Sequence, residues 1–149
     1  MKINKRETKM IQKFSEIKID TEGQRLINIS KKIDDFVEKS KINYGILNLS
    51  ILHTSASLII QENASKDVLI DLENFFNKLV PMNDSLYLHT LEGKDDMPAH
   101  IKTSLTNTNL SLSIIKNILK LGTWQGIYLF EHRIEKHLRS IFCHIIGEK

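Results

Sequence analysis

The alternation of apolar and polar residues predicts two strands and one long helix in the first half of the chain. In residues 46–52 every second residue is apolar, as in a strand with one buried face, and His53 continues that face. Residues 57–61, SLIIQ, are also strand-like. In residues 64–80 the apolar residues recur at helical spacing and form one continuous face: Val68, Leu69, Leu72, Phe75, Phe76 and Leu79. Asn63 is the expected N-cap of this helix, and Pro81 ends it.

The rest of the pattern predicts two shorter helices and several more strands. Residues 14–20 suggest a first strand, and Ser30 is the expected N-cap of a helix in KKIDDFVEKS. Pro98 suits the first position of a short helix, AHIKTSL. Further strands are predicted at residues 110–115, 118–121, 126–132 and 138–146. This order favours an α+β fold with a mostly antiparallel sheet or sandwich, one long helix and one or two shorter ones, and it argues against a Rossmann-type alternation.

Composition indicates one globular domain. The chain has 149 residues, of which 41% are hydrophobic and 26% charged, so it can bury a core without disulfides or a structural metal. The single cysteine, Cys143, excludes an internal disulfide framework and lies in an apolar run typical of a buried thiol. The sequence contains no apolar stretch of membrane-spanning length and no apolar signal core, so we expect a cytoplasmic protein without membrane contact.

Positive charge is concentrated at the start of the chain. Residues 1–13, MKINKRETKMIQK, contain five lysines and arginines and one glutamate. We therefore expect a flexible basic arm over residues 1–13 and a single domain over residues 14–149. The alternative for the arm is a role in binding nucleic acid or a membrane. The net charge of +3 is too small, and the other basic residues too evenly spread, to favour nucleic-acid binding.

Histidines are the main candidates for chemistry, because the chain has no GxGxxG, P-loop, HExxH, paired CxxC or GxSxG motif. His53, His100 and His132 each lie at the end of a predicted element, where side chains from separate elements can meet. Three imidazoles with one open position form a familiar site for zinc or a similar divalent metal. The alternative for each histidine is a packed or solvated side chain, as expected for His137 and His144.

Polar residues near these histidines are candidates for binding a small anionic or phosphorylated molecule: Thr54, Ser55, Glu62, Asp95 and Gln125. Asn63 is expected at the start of the long helix, where free N–H groups attract anions. Arg133 follows His132 and offers a cation for a phosphate group. His53, Asn63 and Arg133 are therefore the candidate catalytic residues, and ordinary capping and turn chemistry is the alternative explanation.

Three segments resemble the signature stretches of the YjbQ-like (UPF0047) family. They are HTSASLIIQENAS at 53–65, EGKDDMPAHIKTSL at 92–105 and LGTWQGIYLFEHR at 121–133. Their order and spacing also match, and the resemblance runs from about residue 14 to residue 148. It implies a compact α+β domain that assembles as a homotrimer. It also implies a pocket near the subunit interface, lined by the histidines at positions 53, 100 and 132, with His89 as a further candidate.

The resemblance further implies a divalent metal or an anion in that pocket and a weak, secondary thiamine-phosphate synthase activity. In that reaction a thiazole phosphate displaces pyrophosphate from a pyrimidine, and the departing pyrophosphate needs cationic stabilisation. The chain has no glycine-rich phosphate loop and no DDxxD-like magnesium cluster, which weakens this prediction. The alternative is a non-catalytic trimeric module that binds a small ligand or a metal.

Overall fold

The computed structural model describes residues 9–149, which form eight strands and three helices. The strands are β1 (Ile11–Thr21), β2 (Arg25–Asn28), β3 (Tyr44–Ile51), β4 (Ala56–Glu62), β5 (Asn109–Ile115), β6 (Ile118–Leu119), β7 (Gln125–Glu131) and β8 (His137–Glu148). The helices are α1 (Ser30–Ser40), α2 (Lys66–Leu79) and α3 (Asp96–Leu105), and a short 3-10 turn covers Asp84–Leu86.

The strands form two antiparallel sheets. The larger sheet has the order β1-β8-β3-β5-β6, and the smaller has the order β2-β7-β4. Every pairing between neighbouring strands is antiparallel. The predicted α+β class is therefore confirmed, with α2 as the one long helix and α1 and α3 as the shorter ones.

The main core lies between the larger sheet, α1 and the inner face of the smaller sheet. Ile33 and Val37 of α1 pack there against the alternating apolar residues of β3, β5 and β8, and Leu129 of β7 closes the other side. Burial of each such side chain contributes roughly 1.5–3 kcal/mol. Cys143 lies in this core as predicted, and burial raises the pKa of its thiol to about 12, so it stays protonated.

A second apolar cluster attaches α2 to the outer face of the smaller sheet. Phe76 meets Phe130 edge to face, with ring centroids 5.4 Å apart. Glu73 accepts a hydrogen bond from the Leu26 N–H at 2.8 Å, which covers part of the open edge of β2. Phe75 and Leu79 belong to the same predicted apolar face but remain 58% and 54% exposed. The helix is confirmed, although its apolar face is wider than the sheet surface that covers it.

Two of the predicted N-caps are corrected by the structure. Ser65, not Asn63, caps α2, because its side chain accepts the Asp67 N–H at 3.3 Å. Asn63 precedes the helix, and its amide donates to the Gln125 carbonyl at 3.3 Å. Ser30 is the first residue of α1 rather than its cap, and its hydroxyl accepts the Ile127 N–H at 2.9 Å. Both side chains are hydrogen-bonded to the backbone of β7, a tertiary contact that local sequence does not reveal.

Two element boundaries also differ from the prediction. Pro98 is the third residue of α3, not the first. Proline is still tolerated there, because the N–H groups of the first helical turn have no hydrogen-bond partner within the helix. β1 begins at Ile11, which pairs with Gly147, so residues 11–13 of the predicted arm belong to the larger sheet. Residues 1–8 of that arm lie outside the described residues. Within residues 9–149, none of the helices is both long and apolar enough to span a bilayer.

Candidate functional site

The described part of the chain holds one group of side chains with the geometry of a metal site. A ligand atom from each of His89, Asp96 and His100 lies within 4.8 Å of the others. Asp96 and His100 are four residues apart on α3, so they share one face of the helix. His89 comes from the segment that follows the 3-10 turn. We call these three residues the His–Asp–His group.

His100 has a fixed tautomer. Its Nδ1 lies 2.9 Å from the Thr54 carbonyl oxygen, which can only accept, so Nδ1 carries the proton. In the neutral ring Nε2 then has a lone pair, and it faces the Asp96 Oδ2 at 3.2 Å. Two acceptors in direct contact repel each other unless a proton or a cation lies between them. Histidines that bind metals have the same arrangement, with the second nitrogen donating to a carbonyl or carboxylate.

His89 completes the group by contacting the same carboxylate oxygen. Its Nε2 lies 2.7 Å from the Asp96 Oδ2, and the two imidazole rings are 5.6 Å apart. The Asp96 side chain is only 2% exposed, whereas that of His89 is 45% exposed. The group therefore has a buried carboxylate at its base and opens to solvent on the His89 side.

Arg133 fixes the carboxylate of Asp96 together with that of Asp95. Its Nε donates to Asp95 at 2.9 Å, its Nη1 donates to Asp96, and its Nη2 donates to the Glu92 carbonyl. Burial alone would raise the pKa of both carboxyl groups. At Asp95, hydrogen bonds from the Ile134 N–H and from Arg133 outweigh burial and hold the pKa below its usual value. At Asp96, the hydrogen bond from His89 and the charge of Arg133 have the same effect on the pKa. Two carboxylates against one guanidinium leave one net negative charge, which favours a cation.

His132 does not join the His–Asp–His group, contrary to the prediction. It follows β7 directly, and its ring lies 4.3 Å from that of Phe130, on the face of the smaller sheet that α2 covers. Its Nε2 is hydrogen-bonded to the Ser57 hydroxyl at 2.9 Å. Burial, with the nearby charge of Lys102, lowers the pKa of His132 to about 3, so the ring is neutral. The strand alternation that made this residue conspicuous points it into the protein.

His53 is also separate from the group. Its Nε2 accepts the Ser140 N–H at 2.8 Å, which adds one hydrogen bond to the β3–β8 ladder just beyond the end of β3. Burial, together with the charge of Arg139, lowers the pKa of His53. Its Nε2 lone pair is thus occupied by a backbone donor. Of the three predicted metal ligands, the structure places only His100 in the group.

The predicted ligand-binding residues divide between two ends of the smaller sheet. Thr54 lies at the end that holds the group and contributes its carbonyl, and Ser55 accepts from Arg139 through its carbonyl at 3.3 Å. Glu62 pairs with Gln125 at the far end of β4, six residues from Ala56 and therefore about 20 Å away. Asn63 lies beside them, so these three residues are at the opposite end of the smaller sheet, away from the His–Asp–His group.

Asp96 is the member of the group that sequence reasoning missed, and His89 was only a further candidate. The spacing of Asp96 and His100 carried a signal, because residues four apart on a helix face the same way. No periodicity marked His89, which comes from an irregular segment. A groove of about 540 Å³ between α1 and the β5–β6 hairpin contains Asp34, Glu38 and Lys116 but none of the predicted site residues.

Comparison with known proteins places the chain among relatives of similar length. The family model described as "UPF0047 protein YjbQ-like" matches residues 15–148. A UPF0047 protein from Synechocystis sp. is 48% identical over 130 residues, which cover 87% of this chain and 88% of the relative. The UPF0047 protein YjbQ of Escherichia coli O157:H7 is 44% identical over 116 residues, which cover 78% of this chain and 83% of the relative.

Solved structures show the same fold. A YjbQ-like protein of unknown function from Sulfolobus solfataricus superposes with a TM-score of 0.86 at 26% identity, covering 94% of this chain and all of the other. A YjbQ/UPF0047 protein from Clostridium acetobutylicum gives a TM-score of 0.80 at 32% identity, covering 88% of this chain and 98% of the other. The chain therefore belongs to the UPF0047 family of YjbQ-like proteins.

Proposed function

We propose that His89, Asp96 and His100 bind a divalent metal, and that the bound metal holds a small anionic or phosphorylated molecule. The observation that carries the proposal is the fixed tautomer of His100, whose Nε2 faces the Asp96 Oδ2 at 3.2 Å. A divalent cation between the two acceptors would remove their repulsion. Two imidazoles and one carboxylate with open positions are typical of zinc or iron sites that exchange ligands.

Charge supports the anionic ligand. Asp95, Asp96 and Arg133 together carry one net negative charge, so a divalent metal would change the local sum to one positive charge. That charge, on an ion with open positions, favours phosphate or carboxylate oxygens as the remaining ligands. Arg133 is itself engaged by Asp95, Asp96 and the Glu92 carbonyl, so its main effect is to hold the two carboxylates in place.

The activity proposed for this site is a secondary transfer of the thiamine-phosphate synthase type, supported by the family resemblance. A bound divalent metal supplies the positive charge that a departing pyrophosphate requires. In this chain, Arg133 and the Thr54 carbonyl keep Asp96 and His100 in position. Asn63 and Gln125 lie at the other end of the smaller sheet, so they have no part in this site. Non-catalytic binding of the same kind of ligand is the alternative.

Assembly as a homotrimer is part of the proposal. Leu88 and Leu91 lie on either side of His89 in the sequence, and both are essentially fully exposed, at 104% and 99%. Exposed apolar side chains beside a polar site are typical of a surface covered by another chain. We expect sedimentation equilibrium to give three times the mass of the chain, and Leu88→Asp with Leu91→Asp to reduce it. A stable wild-type monomer would contradict the trimer.

Titration calorimetry with Zn²⁺ tests the metal site. We expect Asp96→Asn and His100→Ala each to weaken binding by at least about 100-fold, because each removes a ligand. His144→Ala is the matched control, since His144 lies on the larger sheet and its Nε2 is hydrogen-bonded to Gln12. Equal zinc affinity in the wild type, Asp96→Asn and His100→Ala would refute the site.

Pyrophosphate release separates catalysis from binding. The metal-loaded protein is supplied with the pyrimidine diphosphate and the thiazole phosphate, and pyrophosphate is measured over time. Turnover that disappears in His100→Ala and persists in His144→Ala would support the transferase. Intact metal binding without turnover would favour the binding module.

A further inference from the structure

Two side chains attach α3 to the segment that precedes and opens β4. His100 donates from Nδ1 to the Thr54 carbonyl at 2.9 Å, and the hydroxyls of Thr106 and Ser57 are hydrogen-bonded at 2.7 Å. The attachments are six residues apart on the helix side, about 9 Å. Their partners, Thr54 and Ser57, are three residues apart in the segment that leads into β4. The C-terminal half of α3 therefore lies beside residues 54–57, with one side-chain contact near each end.

His132 holds the Ser57 hydroxyl in place for its hydrogen bond to Thr106. The Ser57 hydroxyl lies 2.9 Å from the His132 Nε2 and 2.7 Å from the Thr106 hydroxyl, so partners on both sides hold it. Ser57 and His132 are 0% and 1% exposed, which keeps water from competing. The Thr106 hydroxyl is also 2.8 Å from the Lys102 carbonyl, one turn back along the helix. These hydrogen bonds form a continuous chain from the end of β7, through β4, to the end of α3.

Backbone contacts alone do not fix the helix along its whole length. The Leu58 N–H donates to the Asn107 carbonyl at 2.7 Å, which holds the chain just after α3. Between that point and the Arg133 contacts at its first turn, the polar attachments of α3 to residues 54–57 are those of His100 and Thr106. If the Thr106 contact is lost, the rotation of α3 about its axis is less constrained. The direction of the His100 Nε2 toward Asp96 changes with that rotation.

We infer that the buried chain of Thr106, Ser57 and His132 positions the metal ligand His100. The inference rests on the proposed metal site and assigns these three residues a positioning role, without contact to the metal. Positioning residues around metal ligands change affinity by roughly 10- to 100-fold when they are removed.

The test compares two threonines at the end of α3, Thr103 inside the helix and Thr106 directly after it. Thr106→Val removes the linked hydroxyl, whereas Thr103→Val removes a buried hydroxyl that has no hydrogen-bond partner among the described residues. Both variants keep the shape of the side chain. We expect Thr106→Val to weaken Zn²⁺ binding by roughly 10-fold, and Thr103→Val to retain wild-type affinity. Thr106→Ser restores the hydroxyl and should restore the affinity.

Cobalt spectroscopy provides the readout that a purely structural role would not change. The visible absorption of bound Co²⁺ reports its ligand geometry, so we expect an altered spectrum in Thr106→Val and the wild-type spectrum in Thr103→Val and Thr106→Ser. If Thr106→Val does not fold, Ser57→Ala tests the same chain at its middle hydroxyl.

Two results would overturn the inference in distinguishable ways. If the wild type binds Zn²⁺ and Thr106→Val is less stable but binds it within about two-fold of the wild type, the hydroxyl only stabilises the fold. The metal site would then stand and the positioning role would not. If the wild type binds no divalent metal, the proposed site is lost and the positioning role with it.

Discussion

Glu131 of β7 and Arg139 of β8 form an ion pair that joins the two sheets. The Arg139 Nε donates to the Glu131 Oε2 at 2.7 Å, and the two residues are 3% and 0% exposed. The Thr21 hydroxyl donates to the same carboxylate at 2.8 Å, which brings in β1. Hydrogen bonds from Arg139, the Arg133 N–H and Thr21 outweigh burial and hold the pKa of Glu131 below its usual value.

Removing one partner of this pair should be costly. We expect Arg139→Met to lower the free energy of unfolding by roughly 3–5 kcal/mol, because it leaves a buried carboxylate without its counter-charge. Adding Glu131→Gln to that variant should recover part of the loss. The measurement is urea denaturation of the single and double variants. Lys136→Met is the control, since Lys136 pairs with Glu22 on the surface, where such a pair contributes about 0–1 kcal/mol. Equal losses in Arg139→Met and Lys136→Met would contradict this assignment.

Lowering the pH should destabilise the folded chain, because His132 is buried in its neutral form. Burial, with the charge of Lys102, lowers its pKa from the usual 6.5 to about 3 in the folded chain. Between these values the unfolded chain binds a proton that the folded chain excludes, so acid favours unfolding. The free energy of unfolding should fall by about 2 kcal/mol between pH 6.5 and pH 5.

His132→Gln should flatten that profile. The side chain can still bond Ser57 but does not titrate, so the difference between pH 6.5 and pH 5 should shrink by most of its value. Urea denaturation at the two pH values measures it. An unchanged slope in the variant would show that His132 is not the group responsible.

Glycine at position 116, in the turn between β5 and β6, should stabilise the protein. Lys116 and Asn117 have φ angles of 56° and 61°, a left-handed conformation that costs a residue with a Cβ roughly 1–2 kcal/mol. Asn117 is needed there, because its amide donates to the Val37 and Ile42 carbonyls. Lys116→Gly should therefore raise the melting temperature. Lys39→Gly, inside α1, should lower it, since glycine in a helix costs about 1 kcal/mol. A lower melting temperature for Lys116→Gly would count against the turn conformation.

Gly147 lies at a point where the backbones of β3 and β8 leave no room for a Cβ. It pairs with Gly45, and a Cβ at position 147 would lie 2.7 Å from the Gly45 Cα and closer still to the Tyr44 carbonyl oxygen. Both neighbours are backbone, so neither can move aside. Gly147→Ala should cost about 3 kcal/mol or more, measured by thermal unfolding. Gly122→Ala is the control, because the nearest atom there belongs to the flexible Gln125 side chain. Similar melting temperatures for the two variants would argue against this packing.

The fold was largely predictable, because its long elements have clear periodicity. The alternation in β3 and β8 matches the burial in the structure, and the helical spacing located α2, although Phe75 and Leu79 of its apolar face stay exposed. β2 was missed, because four residues are too few to show an alternation. The predicted N-caps were wrong for a different reason. Ser30 and Asn63 are hydrogen-bonded to residues that are distant in sequence and come near only in the folded chain.

The site was less predictable. Alternation along a strand shows which face a side chain lies on, but it does not show which residues at the strand ends come together. His132 lies beside Arg133 in sequence, yet the two point to different partners, Ser57 and the Asp95–Asp96 pair. His53 ends a buried stripe as predicted, but its lone pair is occupied by a backbone N–H. Of the group, only His100 was predicted as a ligand; the helical spacing that places Asp96 on the same face was not used.

Three consecutive residues at the end of β7 make the spacing of this segment as important as its composition. Glu131 joins the sheets, His132 reaches Ser57, and Arg133 holds Asp95 and Asp96. A single deleted residue here would shift each side chain into its neighbour's place and reverse its direction. Evolution can therefore exchange residues at these positions more easily than it can insert or remove one, and natural length variation should fall in other loops of the chain.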